Sequence, residues 1–212
     1  MTEVRHFDKQ ENFRPHSRMS KNRLEAFSDG VLAIVITIMV LELKVPHGVE
    51  LSALKPVVPV FLSYVLSFIY VAIYWNNHHH LLHATKQVDG CILWANLHLL
   101  FWLSLFPFAT GWIGENHVAP APTALYGFVL TMAAVSYYML ERSIISRQGR
   151  ESVLPSALGS DRKALFSVGM YLLAMVLSLI SPWIATALYV LVAILWFVPD
   201  RRIERAVTRA GA

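Results

Sequence analysis

Long apolar segments alternate with short polar segments along the whole chain. Each apolar segment approaches the roughly 20 residues that an α-helix needs to cross a bilayer. Pro107 lies inside the third segment, where it predicts a kink, and Ser181-Pro182-Trp183 predicts a tight turn before the last one. The pattern therefore predicts an all-α integral membrane bundle of six transmembrane helices, at about 24–45, 56–82, 91–113, 121–140, 164–180 and 184–199.

The composition agrees with a membrane protein. Of the 212 residues, 56% are hydrophobic and 15% are charged, whereas about a quarter of the residues of a soluble domain are charged. The net charge of +4 comes from Arg and Lys residues that flank apolar segments, so we expect no nucleic-acid partner. Cys91 is the single cysteine, which excludes an internal disulfide and a Cys-based zinc site.

The basic residues predict the orientation of the bundle. The segments that share a side with the two termini hold sixteen Arg and Lys residues, and the opposite side holds only Lys44 and Lys55. Under the positive-inside rule this imbalance places both termini in the cytoplasm. The sequence thus predicts a polar cytoplasmic N-terminal segment over 1–22, a six-helix transmembrane domain over 23–199 and a basic cytoplasmic tail over 200–212.

The first predicted helix carries an acidic residue near its start, Asp29, directly after Ser28. A charged side chain within a membrane helix is costly and needs a partner. Two interpretations follow from the residues alone. Asp29 belongs to a buried structural network of hydrogen bonds, or it is a direct site for an ion or a proton.

A stripe of large apolar side chains follows one side of the same helix. Its members are spaced alternately four and three residues apart, and Asp29 lies about 140° away from Ile34 around the helix axis. Spacing alone favours ordinary contact with lipid or with another helix for this stripe. Val35, about 100° from Ile34, lies off the stripe, and its substitution is expected to do little compared with a substitution on the stripe. The stripe consists of Phe27, Val31, Ile34, Ile38, Leu41 and Val45.

Histidine and asparagine residues occur in the second and third helices, and those of the third helix are the candidate partners for Ser28 and Asp29. The second helix ends in three consecutive histidines, His78 to His80, followed by His83. Two of them are four residues apart, but zinc needs three or four ligands, so we expect hydrogen-bonded histidines and no metal. Asn96 and His98 of the third helix are expected to bond across the bundle.

Three stretches resemble the TMEM175 family, whose members include lysosomal potassium channels of animals and smaller prokaryotic relatives. The run from Arg23 through Phe27-Ser28-Asp29-Gly30 resembles the family's RxxxFSD signature. The segment 75–80 resembles the end of the family's second helix, and 93–108 resembles its third. The resemblance covers the first three helices well, whereas the last three agree in number and length only.

The resemblance implies a potassium-preferring cation channel in a cell membrane, which in a prokaryote is the inner membrane. A one-unit chain of this kind is expected to form a homotetramer with its first helix at a central axis, within a channel domain over 23–199. The resemblance implies an apolar constriction at Ile34, Ile38 and Leu41, with the Thr37 hydroxyl beside it. It thereby favours the pore over lipid for the stripe.

The resemblance also implies a structural network behind the pore helix and no cofactor other than the permeant potassium ion. Two alternatives remain. One is a proton-coupled or other carrier that uses Asp29 and buried histidines, although the chain shows no clear internal repeat. The other is a membrane enzyme with a histidine-bound metal, although no catalytic motif is present. The implied network consists of Arg23, Phe27, Ser28, Asp29, Asn96 and His98.

Overall fold

The computed structural model describes residues 20–85, 87–148 and 162–197, and the regular secondary structure within these ranges is entirely helical. The N-terminal segment 1–22 is described only from Ser20, and the tail 200–212 lies outside the described residues. A 3-10 helix, Leu51–Val57, precedes the second helix. The α-helices are α1 Lys21–Leu41, α2 Val58–His83, α3 Gly90–Ser104, α4 Phe106–Glu115, α5 Pro120–Gln148, α6 Arg162–Ser178 and α7 Pro182–Phe197.

The third predicted span is built from two helices, α3 and α4, with Leu105 between them. Pro107 lies in the first turn of α4, where its missing N–H is tolerated, while its ring interrupts the hydrogen bonding of the preceding turn. The predicted kink is therefore confirmed. Asp89 caps the start of α3 by accepting a hydrogen bond from the backbone N–H of Ile92 at 3.0 Å.

Four helical segments are long and apolar enough to cross a membrane: α1, the 3-10 helix with α2, α3 with α4, and α5. The two remaining helices, α6 and α7, are apolar but have 17 and 16 residues. They are separated by a turn at 179–181, as the sequence predicts. The six-helix fold is confirmed, and α5 extends beyond the predicted end of its apolar run to Gln148.

Contacts between helix ends show that α1 and α3 begin, and α2 and α5 end, at the same end of the bundle. At this end the Lys21 ammonium donates to the carbonyl of His83 at 2.6 Å, and the Arg147 guanidinium contacts the Asp89 carboxylate at 3.1 Å. At the opposite end the Lys44 ammonium pairs with Glu115 at 2.6 Å. We call the first end the terminal end of the bundle.

Tyrosines fill the centre of the bundle, and their hydroxyls have partners on neighbouring helices. The Tyr70 hydroxyl donates to the carbonyl of Tyr189 at 2.6 Å, and the Tyr189 hydroxyl donates to the carbonyl of Thr123 at 3.1 Å. The Tyr126 hydroxyl lies 2.9 Å from that of Ser67. These bonds satisfy buried polar groups and connect α2, α5 and α7.

Gly127 allows Tyr189 to pack directly on the backbone of α5. A methyl group at this position would overlap the Tyr189 hydroxyl and lie 2.8 Å from its Cζ atom. We expect Gly127→Ala to lower the free energy of unfolding by about 1–3 kcal/mol through overpacking, measured by thermal unfolding in detergent. Gly169→Ala is the matched control, because nothing lies within 4 Å of its added methyl group.

The hydroxyl is the atom that the new methyl group meets, so Tyr189→Phe should relieve part of the cost. The double variant Gly127→Ala/Tyr189→Phe is expected to lose less stability than the sum of the two single variants. Additive losses in this comparison would show that Gly127 and Tyr189 do not interact as described.

Candidate functional site

Helix α1 has one side packed into the bundle and one side free within the single chain. It packs against α2, α3 and α4. The packed side consists of five buried residues. The exposed side carries large apolar residues that no other helix of the chain covers. The buried residues are Leu24, Ser28, Leu32, Val35 and Met39.

Most of the predicted stripe lies on the exposed side of α1, whereas its member Val31 is half-buried and packs against the core. The exposed fractions of Ile34, Ile38 and Leu41 are 58%, 42% and 79%, and Phe27 is also exposed. The helix ends at Leu41, so Val45, which the spacing places on the stripe, lies in the following non-helical segment.

Val35 lies on the packed side and is 3% exposed. An asparagine at this position would be buried without a partner, so Val35 is unsuitable as an exposed control for the stripe. Thr37 is exposed beside the stripe, and its hydroxyl donates to the carbonyl of Ile34 at 2.8 Å. The lone pairs of the Thr37 oxygen remain directed away from that bond.

A chain of three buried side chains connects α1, α3 and α2. Asn96 Nδ2 donates to Ser28 Oγ at 3.0 Å, and Asn96 Oδ1 lies 2.6 Å from His78 Nε2. All three residues are at most 1% exposed. This cluster crosses three helices in a region that excludes water, where each of its bonds is costly to lose.

The direction of the hydrogen bonds in the cluster follows from Ser28. Its hydroxyl donates to the carbonyl of Leu24 at 2.9 Å, so its oxygen can only accept from Asn96. The amide NH2 of Asn96 must therefore face Ser28, and the amide oxygen must face His78. His78 consequently carries its hydrogen on Nε2 and donates it to Asn96.

Two carboxylates of α1 contact the same part of α2. Asp29 Oδ1 accepts a hydrogen bond from Trp75 Nε1 at 3.0 Å, and Glu25 Oε1 lies 3.1 Å from His79 Nδ1. The His79 ring also stacks on Trp75, with ring centroids 6.1 Å apart. In the described part of the chain no hydrogen bond or ion pair joins Asp29 to a histidine.

The structure does not bring His98 to Ser28 or Asp29, so this expected partner is wrong. His98 Nε2 accepts from Trp102 Nε1 at 3.0 Å, and Nδ1 lies 3.1 Å from the Ser136 hydroxyl. His98 therefore connects α3 to α5. The guanidinium of Arg23 is exposed and makes no hydrogen bond or ion pair with the residues that the structure describes.

The consecutive histidines have different environments. His78 is buried in the cluster, while His79 and His83 stack with ring centroids 6.2 Å apart near the terminal end. Among the described residues, no group of three or more His, Cys, Asp or Glu side chains is arranged to hold a metal ion.

Sequence reasoning missed Trp75 as the direct partner of Asp29 and His78 as the partner of Asn96. Both lie in the stretch 75–80 that carries the family resemblance, and their spacing of three residues places them within one turn of α2. That shared face of α2 is the signal that could have identified them, since Asp29 and Asn96 both need a polar partner there.

The charges at the opposite end of the bundle are partly neutralised. The Glu115 carboxylate accepts a hydrogen bond from the Lys44 ammonium and thereby raises the pKa of Lys44 above its ordinary value. Glu42, which follows the last residue of α1, contributes in the same direction. Lys44 thus stays charged and paired throughout the physiological pH range.

Comparisons with known proteins agree on one family. Residues 23–107 match the family described as endosomal/lysosomal potassium channel TMEM175. The chain is 56% identical over 188 residues to a protein from a Chryseobacterium strain that is named a potassium channel, covering 89% of this chain and 98% of that protein.

A solved structure and a human protein extend these likenesses. The crystal structure of a lysosomal potassium-selective channel TMEM175 homolog from Chamaesiphon minutus matches with a TM-score of 0.71 and 26% identity, over 85% of this chain and 97% of that one. The human endosomal/lysosomal proton channel TMEM175 is 39% identical over 103 residues, but this chain spans only 20% of its length.

Proposed function

Because the chain belongs to the TMEM175 family, we propose that it is a potassium-preferring cation channel whose pore is lined by α1 from several copies. The observation that carries this proposal is the exposed apolar side of α1. A stripe of large side chains on a helix at the edge of the bundle needs a partner outside the chain, and a central pore formed by identical helices provides one.

The proposed assembly is a homotetramer. One helix cannot enclose a pore, so several copies must surround an axis, and closed rotational symmetry is the usual solution for identical subunits. Four copies of α1 would bring four copies each of Ile34, Ile38 and Leu41 to the axis. The two relatives that support this proposal are named potassium channels, and this chain covers nearly the whole length of each.

The constriction would act by excluding water. An ion that enters an apolar ring loses part of its hydration shell, and an isoleucine side chain offers no oxygen in its place. Rings of Ile34 and Ile38, one turn apart, therefore form a barrier whose height depends on their width. The exposed Thr37 lies between these two positions in the sequence, and its hydroxyl oxygen can accept an ion that leaves the ring.

The buried cluster fixes the rotation of α1. Ser28 and Asp29 lie about 120° and 140° from Ile34 around the helix axis, on the side that faces α2 and α3. Hydrogen bonds from Asn96 and Trp75 hold these two residues in place. The stripe consequently keeps a single orientation toward the axis. Conduction as proposed involves neither a chemical reaction nor a cofactor.

The proposed location is the cytoplasmic membrane, with the terminal end of the bundle in the cytoplasm. The support is the distribution of basic residues, since Lys21, Arg23, Arg142, Arg147 and Lys163 all lie near this end. The cytoplasmic leaflet is anionic and attracts such residues. The alternative of a carrier that relays protons from Asp29 to a histidine has no direct bond to support it in the described part of the chain.

Current through a planar bilayer that contains the purified protein tests the proposed function. We expect currents far above the turnover of a carrier, with a reversal potential that follows the potassium gradient. A transport rate that saturates at low salt with fixed coupling to protons would contradict the channel. A mass in mild detergent that corresponds to one or two chains would contradict the tetramer.

A further inference from the structure

An acidic residue, Glu42, continues the line of the stripe at the end of α1. It follows Leu41 directly, and its backbone is still helical, with φ −70° and ψ −14°. The backbone N–H of Glu42 donates to the carbonyl of Ile38 at 3.3 Å, so the residue extends the last turn by one position. Glu42 therefore lies one turn beyond Ile38 and about 40° from it around the helix axis.

The Glu42 carboxylate is exposed and has no close partner. No hydrogen bond or ion pair joins it to another of the described residues. Its Oε2 atom lies beside α4, where a methyl group added to Gly111 would be 3.8 Å away. The charge thus lies beside the last turn of the stripe, where it acts on a passing ion through water and not as a direct ligand.

A neighbouring basic side chain, Lys44, is held by a different carboxylate. The Lys44 ammonium donates to Glu115 at 2.6 Å, whereas its attraction to Glu42 is weaker. Glu115 therefore compensates most of the charge of Lys44, and the charge of Glu42 remains. All three residues line an open cavity of about 640 Å³ at this end of the bundle, so water and ions can reach the Glu42 carboxylate.

This end of the bundle is acidic as a whole. The described residues 42–57 and 115–119 contain three carboxylates, two ammonium groups and no arginine. The last carbonyl groups of α1 add partial negative charge at the same place, and no basic residue in the last turn of α1 offsets it. The charged residues are Glu42, Lys44, Glu50, Lys55 and Glu115.

We propose that Glu42 from each copy forms an acidic ring at the outer mouth of the pore, the mouth opposite the terminal end, and concentrates potassium ions in front of the constriction. The inference rests on the proposed channel, because only a pore bounded by α1 brings four copies of Glu42 around one axis. Carboxylate rings favour cations, and their field raises the local cation concentration. Glu42 sets the rate of conduction and not the preference for potassium over sodium, since both ions carry the same charge.

Single-channel conductance of Glu42→Gln, which removes the charge and keeps the size, tests the ring. At about 0.01 M KCl, where the Debye length is about 30 Å, we expect the current of ions that enter from the outer side to fall about fivefold. At about 1 M KCl the Debye length is about 3 Å, and the variant should conduct within about 1.5-fold of the parent protein. Ions that enter from the terminal end should be affected less, so the current becomes asymmetric with voltage.

Two further variants identify the charge of Glu42 as the cause. Glu42→Asp keeps the charge and should retain most of the conductance at low salt. Glu50→Gln is the matched control, because Glu50 is an exposed carboxylate at the same end that lies before the 3-10 helix and not on α1. This control should conduct like the parent protein at both salt concentrations.

Several results would overturn the ring. If Ile34→Asn alters the current but Glu42→Gln leaves it unchanged at low salt, the channel stands and the ring does not. The same loss at both salt concentrations would show a structural role of Glu42. An equal loss in Glu50→Gln would show a general effect of surface charge. Absence of potassium current in the parent protein would overturn the proposed channel, and the ring with it.

Discussion

Replacement of Ile34 with asparagine is expected to raise the basal potassium current and to reduce the discrimination between potassium and sodium. A ring of four amide groups would hydrate the constriction and replace part of the water that an ion loses there. A barrier lowered by only about 1.4 kcal/mol raises the current about tenfold. Single-channel recording in potassium and sodium solutions measures both effects, and Ile38→Ala should give a smaller change of the same kind.

Val176→Asn is the control for this experiment. Val176 is 59% exposed, nearly the same as Ile34 at 58%, but it lies on α6, which packs mainly against α5 and α7. Both variants therefore place an amide on an exposed membrane helix. Unchanged conduction in Ile34→Asn would show that the stripe does not line the pore. The same change in Val176→Asn would lead to the same conclusion.

Replacement of Asn96 with leucine is expected to cause the largest loss of stability. Leucine keeps much of the volume but removes the bonds to Ser28 and His78, so that the Nε2–H of His78 is left buried without an acceptor. Each buried group left unsatisfied costs about 1–3 kcal/mol, so we expect a total of about 2–4 kcal/mol. Thermal unfolding in detergent, with the retention of the tetramer by size-exclusion chromatography, measures the effect.

Asn116→Leu is the matched control for the cluster. Asn116 is exposed after the end of α4, and its amide donates to the carbonyl of Trp112 at 2.9 Å. An exposed polar group can bond to water instead, so the loss should stay within about 0.5 kcal/mol. If Asn96→Leu unfolds at the same temperature as the parent protein, the cluster does not hold α1 in place.

The helices were predictable from the sequence because each crosses an apolar phase and must satisfy its backbone internally. Because of that requirement, the length and hydropathy of each segment predict where a helix lies, and Pro107 predicts the break between α3 and α4. The end of α1 was predicted less well. Val45 continues the apolar spacing, but Pro46 and Gly48 follow it closely, and the helix ends at Leu41.

The members of the buried cluster were predictable only in part. Asn96 and His98 are two residues apart, about 200° around the helix axis, so both cannot face α1. The sequence does not state which of them does, because both are polar residues in an apolar helix. The answer depends on the packing of α3, which turns Asn96 toward Ser28 and His98 toward Ser136.

The two sides of α1 posed a different problem. Leu24, Leu32, Val35 and Met39 are as apolar as the stripe, so hydropathy does not separate the packed side from the exposed one. Once the fold is known, the polar residues show which side of α1 is packed. Ser28 and Asp29 face the bundle, and the stripe must therefore face outward.

The central claim, that the stripe lines the pore, is tested most directly by block of the current with silver ions in cysteine variants. Replacement of Cys91 by serine gives a cysteine-free parent, since Cys91 is the single cysteine. Silver is a soft cation that binds thiolates tightly. Our account predicts that silver blocks the potassium current of Ile38→Cys and leaves the currents of the parent and of Val176→Cys unchanged. A current of Ile38→Cys that persists in silver, or equal block of Val176→Cys, would contradict it.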